Sequence, residues 1–151
     1  MAEKLLFDDG LLRLDINGNG ILSFNPSDPN VYHRFVNLVK SLPKIEERYK
    51  NREIEKGNSD LESAEIVLKD LHDIDKEVKA ALSDVFGAQN DFDQLLGGSS
   101  LMAFGKNGER VVTNLLNALT PYMESGLKRH MDEKANEAVA EAKKRREQLN
   151  A

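Results

Sequence analysis

The stretch Leu11–Phe35, LLRLDINGNGILSFNPSDPNVYHRF, separates an all-helical chain from one that opens on a hairpin. Leu12, Leu14 and Ile16 alternate with Arg13 and Asp15, the period-two pattern of a half-buried strand. Asn17-Gly18-Asn19-Gly20 follows, and Asn-Gly tolerates the positive φ that a tight hairpin turn demands. Ile21–Phe24 is the returning strand. A lone two-stranded hairpin is marginal in water, so it must pack on something or accept another strand. Ser27 or Asp28 can then cap a helix whose first turn holds Pro29.

Outward from this stretch the pattern is helical. Val31, Phe35, Leu38, Leu42, Ile45 and Tyr49 recur every three or four residues, and Pro43 interrupts them, which predicts a kink or break. The polar run around Gly57 reads as a turn. Ser59 with Glu62 resembles a capping box for a second helix reaching about Phe86, striped by Leu61, Ala64, Leu68, Leu71, Ile74, Val78, Ala81 and Val85, with Gly87 as its stop. Residues 87–108 carry five glycines among apolar groups, with a short helix expected over 90–96. A last helix starts near Glu109. Its stripe is Val112, Leu115, Leu116, Leu119, Met123, Leu127 and Met131, with a kink predicted at Pro121. Beyond Asp132 the chain is Ala, Glu, Lys and Arg, a helix expected to leave the body, fray and end in a disordered tip. The fold expected is mainly α: a small N-terminal hairpin, then a three- to five-helix bundle with an extended, charged C-terminal helix. The divisions are a flexible 1–10, a single domain over 11–131 with its hairpin at 11–25, and a projecting helix with a basic tail over 132–151.

Composition narrows the function. The 151 residues suit one domain. There is no cysteine, which removes disulfides, thiolate metal sites and a cysteine nucleophile, and fits a reducing cytosol. Leu5–Phe7 is too short an apolar stretch for a signal peptide, and no run approaches a membrane span. The net charge of −5 disfavours generic binding to phosphate backbones, and 6% aromatics without tryptophan make a poor stacking platform.

The motifs that imitate chemistry have simpler readings. Asp15-x-Asn17-x-Asn19-Gly20 opens like a calcium loop, but Pro26 stands where the bidentate Glu belongs and strands flank it, so it reads as a hairpin turn. Ser100–Asn107, SLMAFGKN, passes near a P-loop but lacks its first glycine, its hydroxyl and its strand. Asp70, Asp73 and Glu77, with His72 nearby, share a helical face and read as a solvated row beside Lys76 and Lys79. His33, His72 and His130 are far apart, and no base is paired with a nucleophile. Lys143–Arg146 is the one basic cluster, suited to a helix C-terminus and, as an alternative, to nucleic acid. No catalytic, metal or cofactor residues are assigned. What remains is apolar surface, which marks partner sites.

The order of parts resembles a known family. A hairpin leads through Phe24-Asn25-Pro26-Ser27-Asp28 into a helix, a second helix ends in Asp84-Val85-Phe86-Gly87, and a Leu95-Leu96-Gly97-Gly98 link precedes a last helix with a charged tail. This resembles the tail assembly chaperone-like proteins of long-tailed phages and prophages of Gram-positive bacteria, over roughly residues 10–145. That family usually has phenylalanine where Leu96 stands. The resemblance implies a non-enzymatic protein of the host bacterial cytoplasm, absent from the finished virion, that coats the tape measure protein before tail subunits polymerise. The tail tube subunit and a second copy of the chain are its further expected partners. The contact surface expected here is Phe92, Leu95, Leu96, Leu101, Met102 and Phe104, with Met123, Leu127 and Met131 of the last helix. The alternatives are another small phage structural or adaptor component, or a regulator touching nucleic acid through the basic tail.

Overall fold

A computed structural model describes residues 1–56 and 60–150, with side chains described outside 49–60. The turn around Gly57, the Tyr49 side chain and the Ser59–Glu62 capping pair fall outside the described residues.

Strands β1 (Leu12–Asp15) and β2 (Ile21–Phe24) form the antiparallel hairpin, with Leu12 opposite Phe24 and Leu14 opposite Leu22. The turn closes on itself: the Ile16 N–H donates to the Gly20 carbonyl, the Asn19 N–H to that of Ile16, and the Gly18 N–H to Asp15 Oδ1. The carboxylate that imitated a calcium ligand thus holds a turn in which Asn17 and Gly18 take φ of 51° and 78°.

Helix α1 (Pro29–Lys56) begins where Asp28 accepts from the Asn30 N–H and, through its carbonyl, from the Tyr32 N–H. It runs through Pro43 without a break. Proline removes only the bond to the Val39 carbonyl, and both residues lie on the exposed side while Leu38 is buried opposite. Helix α2 (Asp60–Phe86) packs antiparallel to α1, since Phe35 near the start of α1 meets Phe86 at the end of α2 and Arg48 reaches Glu77. The α2 stripe holds only in part: Leu61, Ala64 and Leu68 are exposed, and the buried face runs from Ile74 through Val78 and Leu82 to Val85 and Phe86.

The one-turn helix α3 (Phe92–Leu95) is shorter than the 90–96 expected. Asp91 caps it, accepting from the Asp93 and Gln94 N–H groups. Helix α4 (Val111–Leu149) is 39 residues, about 58 Å at 1.5 Å per residue. It passes through Pro121, which sits on an exposed face, and is helical to Leu149. Over the described residues the chain is thus mainly helical, a hairpin followed by four helices of which the last is long. Its core gathers around Phe86, whose ring lies 4.9 Å from Phe24, 6.3 Å from Phe35 and 5.8 Å from Phe92, pairs that add about 0.5–1.5 kcal/mol each beyond burial.

Candidate apolar grooves and the polar clamps behind them

The loop expected to be the contact surface is mostly core. Phe92, Leu95, Leu101, Met102 and Met123 are buried, with Leu101 completely so. The reason is structural. The loop caps α4: the Val112 N–H donates to the Leu101 carbonyl, the Val111 N–H to that of Ala103, and Arg110 Nη1 to that of Met102. A helix start needs such acceptors, and a segment that supplies them is drawn inward with its apolar side chains. Gly97 and Gly98, at φ of 63° and 76°, let the chain reverse after α3 while their N–H groups return to Gln94 and Asp93. Of the expected surface, Leu96 is half-buried, and Phe104, Leu127 and Met131 are exposed by 67%, 38% and 58%. Arg110 covers one face of Phe104, its guanidinium 4.7 Å from the ring centroid.

Three polar residues clamp this loop: Asp75 and Asn90, to which the sequence reading gave no role, and Lys79, which it placed beside a solvated row and which is buried instead. Lys79, buried, holds Asp75 at 3.0 Å, Asp93 at 2.8 Å and the Ser99 carbonyl at 2.9 Å. Asp75 Oδ1 accepts from the Leu101 N–H at 2.7 Å. Burial alone would lower the Lys79 pKa, but hydrogen bonds to Asp93 and Asp75 and their charges outweigh it and raise it above the usual lysine value. The same bond and the lysine charge hold Asp93 below the usual carboxylate value. Asn90, also buried, acts as a third strand in one residue: its Oδ1 accepts from the Ser23 N–H, and its Nδ2 donates to the Ser23 and Phe86 carbonyls. The i, i+4 spacing of Asp75 and Lys79 was visible in the sequence; their burial was not. The expected solvated row is also corrected, since Asp70 is 1% exposed.

Exposed apolar side chains also stand in the N-terminal segment (Leu5, Leu6, Phe7) and early in α2 (Leu61, Leu68), but among the described residues the apolar grooves are two, both along α4. The outer one, about 260 Å³, has Pro26, Pro29 and Tyr32 on one wall and Leu127 and Met131 on the other. Gly126 forms its floor, where the Pro26 backbone crosses α4. A ring nitrogen of His130 bonds the Ser27 carbonyl and pins the loop to the helix. The inner groove, about 420 Å³, runs between the hairpin and α4 over Leu14, Ile16, Leu96, Leu115, Ala118 and Tyr122. Ser27 and His130 both line the outer groove, but the imidazole bonds the Ser27 carbonyl while the Ser27 hydroxyl donates to Asn25 Oδ1, so the two are not paired as base and nucleophile. The apolar walls suit aliphatic or aromatic side chains. Among the described residues no cluster suits a metal ion and no helix is long and apolar enough to cross a membrane. The chain matches no family model, no curated protein and no solved structure.

Proposed function

We propose that this protein is a tail assembly chaperone of the kind its sequence resembles, binding the tape measure protein in the host bacterial cytoplasm and shielding it, without catalysis, until tail subunits replace it. One observation supports this reading above the others: Leu127 and Met131 open onto an apolar groove at the point where α4 leaves the body. A tape measure chain exposes helical apolar stripes, and a groove between helix and loop takes such a stripe at i, i+3, i+4 spacing. The grooves are short, which suits many weak contacts along a long client that must later be surrendered.

The test is co-expression with a tape measure segment. The expected result is that the wild-type chain keeps the segment soluble and co-purifies with it. A Leu127→Asp, Met131→Asp double variant should stay folded, with a small loss of thermal stability because Leu127 is exposed by only 38%, and lose the segment. Equal rescue by the double variant removes the groove from the account, and no rescue by the wild type removes the chaperone reading.

A further inference from the structure

Residues 132–149 of α4 are exposed on every side, an arm of about 27 Å with Glu133 and Lys134 at its root beside the loop before α1. A helix of this length is marginal in water without packing. Its surface is nevertheless organised. Met131, Ala135, Ala138, Ala142 and Leu149 are spaced by four, three, four and seven residues, one stripe at coiled-coil periodicity, with Arg145 at the stripe position between Ala142 and Leu149 and Val139 on its flank. Met131, Val139 and Leu149 are exposed by 58%, 68% and 84%. The alanines let a second helix approach closely.

Charge on the arm is divided in two. Asp132, Glu133, Glu137 and Glu141, against Lys134 alone, make its inner half acidic. Lys143, Lys144, Arg145 and Arg146, against Glu147 alone, make its outer half basic. A parallel pair of such arms would set like against like. An antiparallel pair sets each half against its opposite, and does so twice by two-fold symmetry.

We propose that the arm is a self-complementary docking surface through which two copies of this chain pair antiparallel. In that register the stripe meets itself around residues 138–142. Leu149 of each copy covers Met131 of the other, and Arg146 stands opposite Asp132 on the rim. Glu141 is served within its own helix by Arg145, 4.0 Å away. Met131 belongs to both the groove and the seam, but Leu149 and the two charge blocks carry the pairing, which does not rest on the chaperone reading.

The absence of cysteine makes the register testable. Sedimentation equilibrium of the full chain should show a reversible monomer–dimer equilibrium. Reversing the outer block (K143E, K144E, R145E, R146E) should weaken the dimer by about tenfold, because it turns the two symmetry-related Arg146–Asp132 pairs from attraction to repulsion and sets a like-charged block against the acidic half of the partner copy. Mixing that variant with one carrying D132K, E133K, E137K and E141K should restore association. Under mild oxidation a mixture of M131C and L149C chains should cross-link, whereas M131C alone should not, because its two copies lie about 27 Å apart. All these positions are exposed, so each variant keeps its thermal transition. A wild-type chain that stays monomeric, a dimer indifferent to block reversal, or self-linking by M131C alone overturns the proposal.

Discussion

Gly126 of α4 lies against the carbonyl of Pro26 so closely that a Cβ at position 126 would overlap it and come within 2.9 Å of the Ser27 backbone nitrogen. This contact is where the loop before α1 crosses the last helix, and the outer groove exists because of it. A Gly→Ala change at an ordinary helical site gains up to about 1 kcal/mol from propensity. Here the obstacle is backbone, which cannot rotate away as a side chain would, so overpacking of about 1–3 kcal/mol prevails. Gly126→Ala is therefore expected to lower the Tm by about 3–10 °C and to weaken client binding at Leu127 and Met131. A stability equal to or above wild type in urea unfolding would show that α4 does not lie on this loop.

Besides the packing of Leu22 and Phe24 and the bond from Asn19 Nδ2 to the Leu95 carbonyl, the hairpin is held to the helices by the buried side chain of Asn90. Replacing it by alanine leaves the Ser23 N–H and the Ser23 and Phe86 carbonyls to be satisfied by nothing of the same shape. A buried unsatisfied group costs about 1–3 kcal/mol, so Asn90→Ala should lose about 2–4 kcal/mol in urea unfolding. Hydrogen exchange should show the Ser23 amide losing protection ahead of the α2 amides. Undiminished Ser23 protection would mean that Leu22, Phe24 and Asn19 carry the hairpin without Asn90.

These two residues also mark where the sequence was legible and where it was not. Alternation and Asn-Gly placed the hairpin, and the three-and-four spacing placed the long helices, because each is a local pattern imposed by backbone geometry. The burial of the glycine-rich loop is not local. Leu101 is interior because α4 needs carbonyls at its start and Asp75 needs a donor, partners 11 and 26 residues away along the chain. An apolar loop read in isolation looks like spare surface; the same residues become core once α4 needs capping. Pro43 and Pro121 do not end their helices, since a missing donor on an exposed face costs a helix little when the opposite face is packed. Leu127 and Met131 were legible as surface because the stripe continues past the point where the body has anything left to cover it.

The corrected placement of the loop reverses an expectation. Polar or small substitutions there should damage folding, not only client binding. Phe92→Ala is expected to cost about 3–5 kcal/mol and Leu101→Ala about 2–5 kcal/mol. Phe104→Ala, at an exposed site with only an arginine laid over the ring, should cost about 0.5–1 kcal/mol. Urea unfolding of the three variants checks the order. A Phe92→Ala chain as stable as Phe104→Ala would return the loop to the surface.

Lys79 ties α2, α3 and the loop together, and its removal is expected to be the most damaging of the polar changes. Lys79→Met leaves Asp75 a buried carboxylate with the Leu101 N–H as its donor, and breaking a buried pair on one side costs about 3–5 kcal/mol. The pH dependence follows from the directions of the shifts. Asp93 is held below its ordinary 3.8, so between its folded value and 3.8 the unfolded chain binds more protons than the folded one. Its contribution is whole above 3.8 and is lost as pH falls through the folded value. Lys79 is raised above 10.5, so its contribution is whole below that value and lost as pH rises through the folded one. Stability should accordingly be flat in neutral solution and fall at both extremes. Asp93→Asn should remove part of the acid slope below 3.8, and only a modest part, because the Asp93 side chain is 70% exposed and screened by solvent. Urea midpoints for wild type and Asp93→Asn at pH 7, 4 and 3 measure this. Parallel acid limbs in the two proteins would mean that the Asp93–Lys79 contact contributes nothing to the folded state in solution.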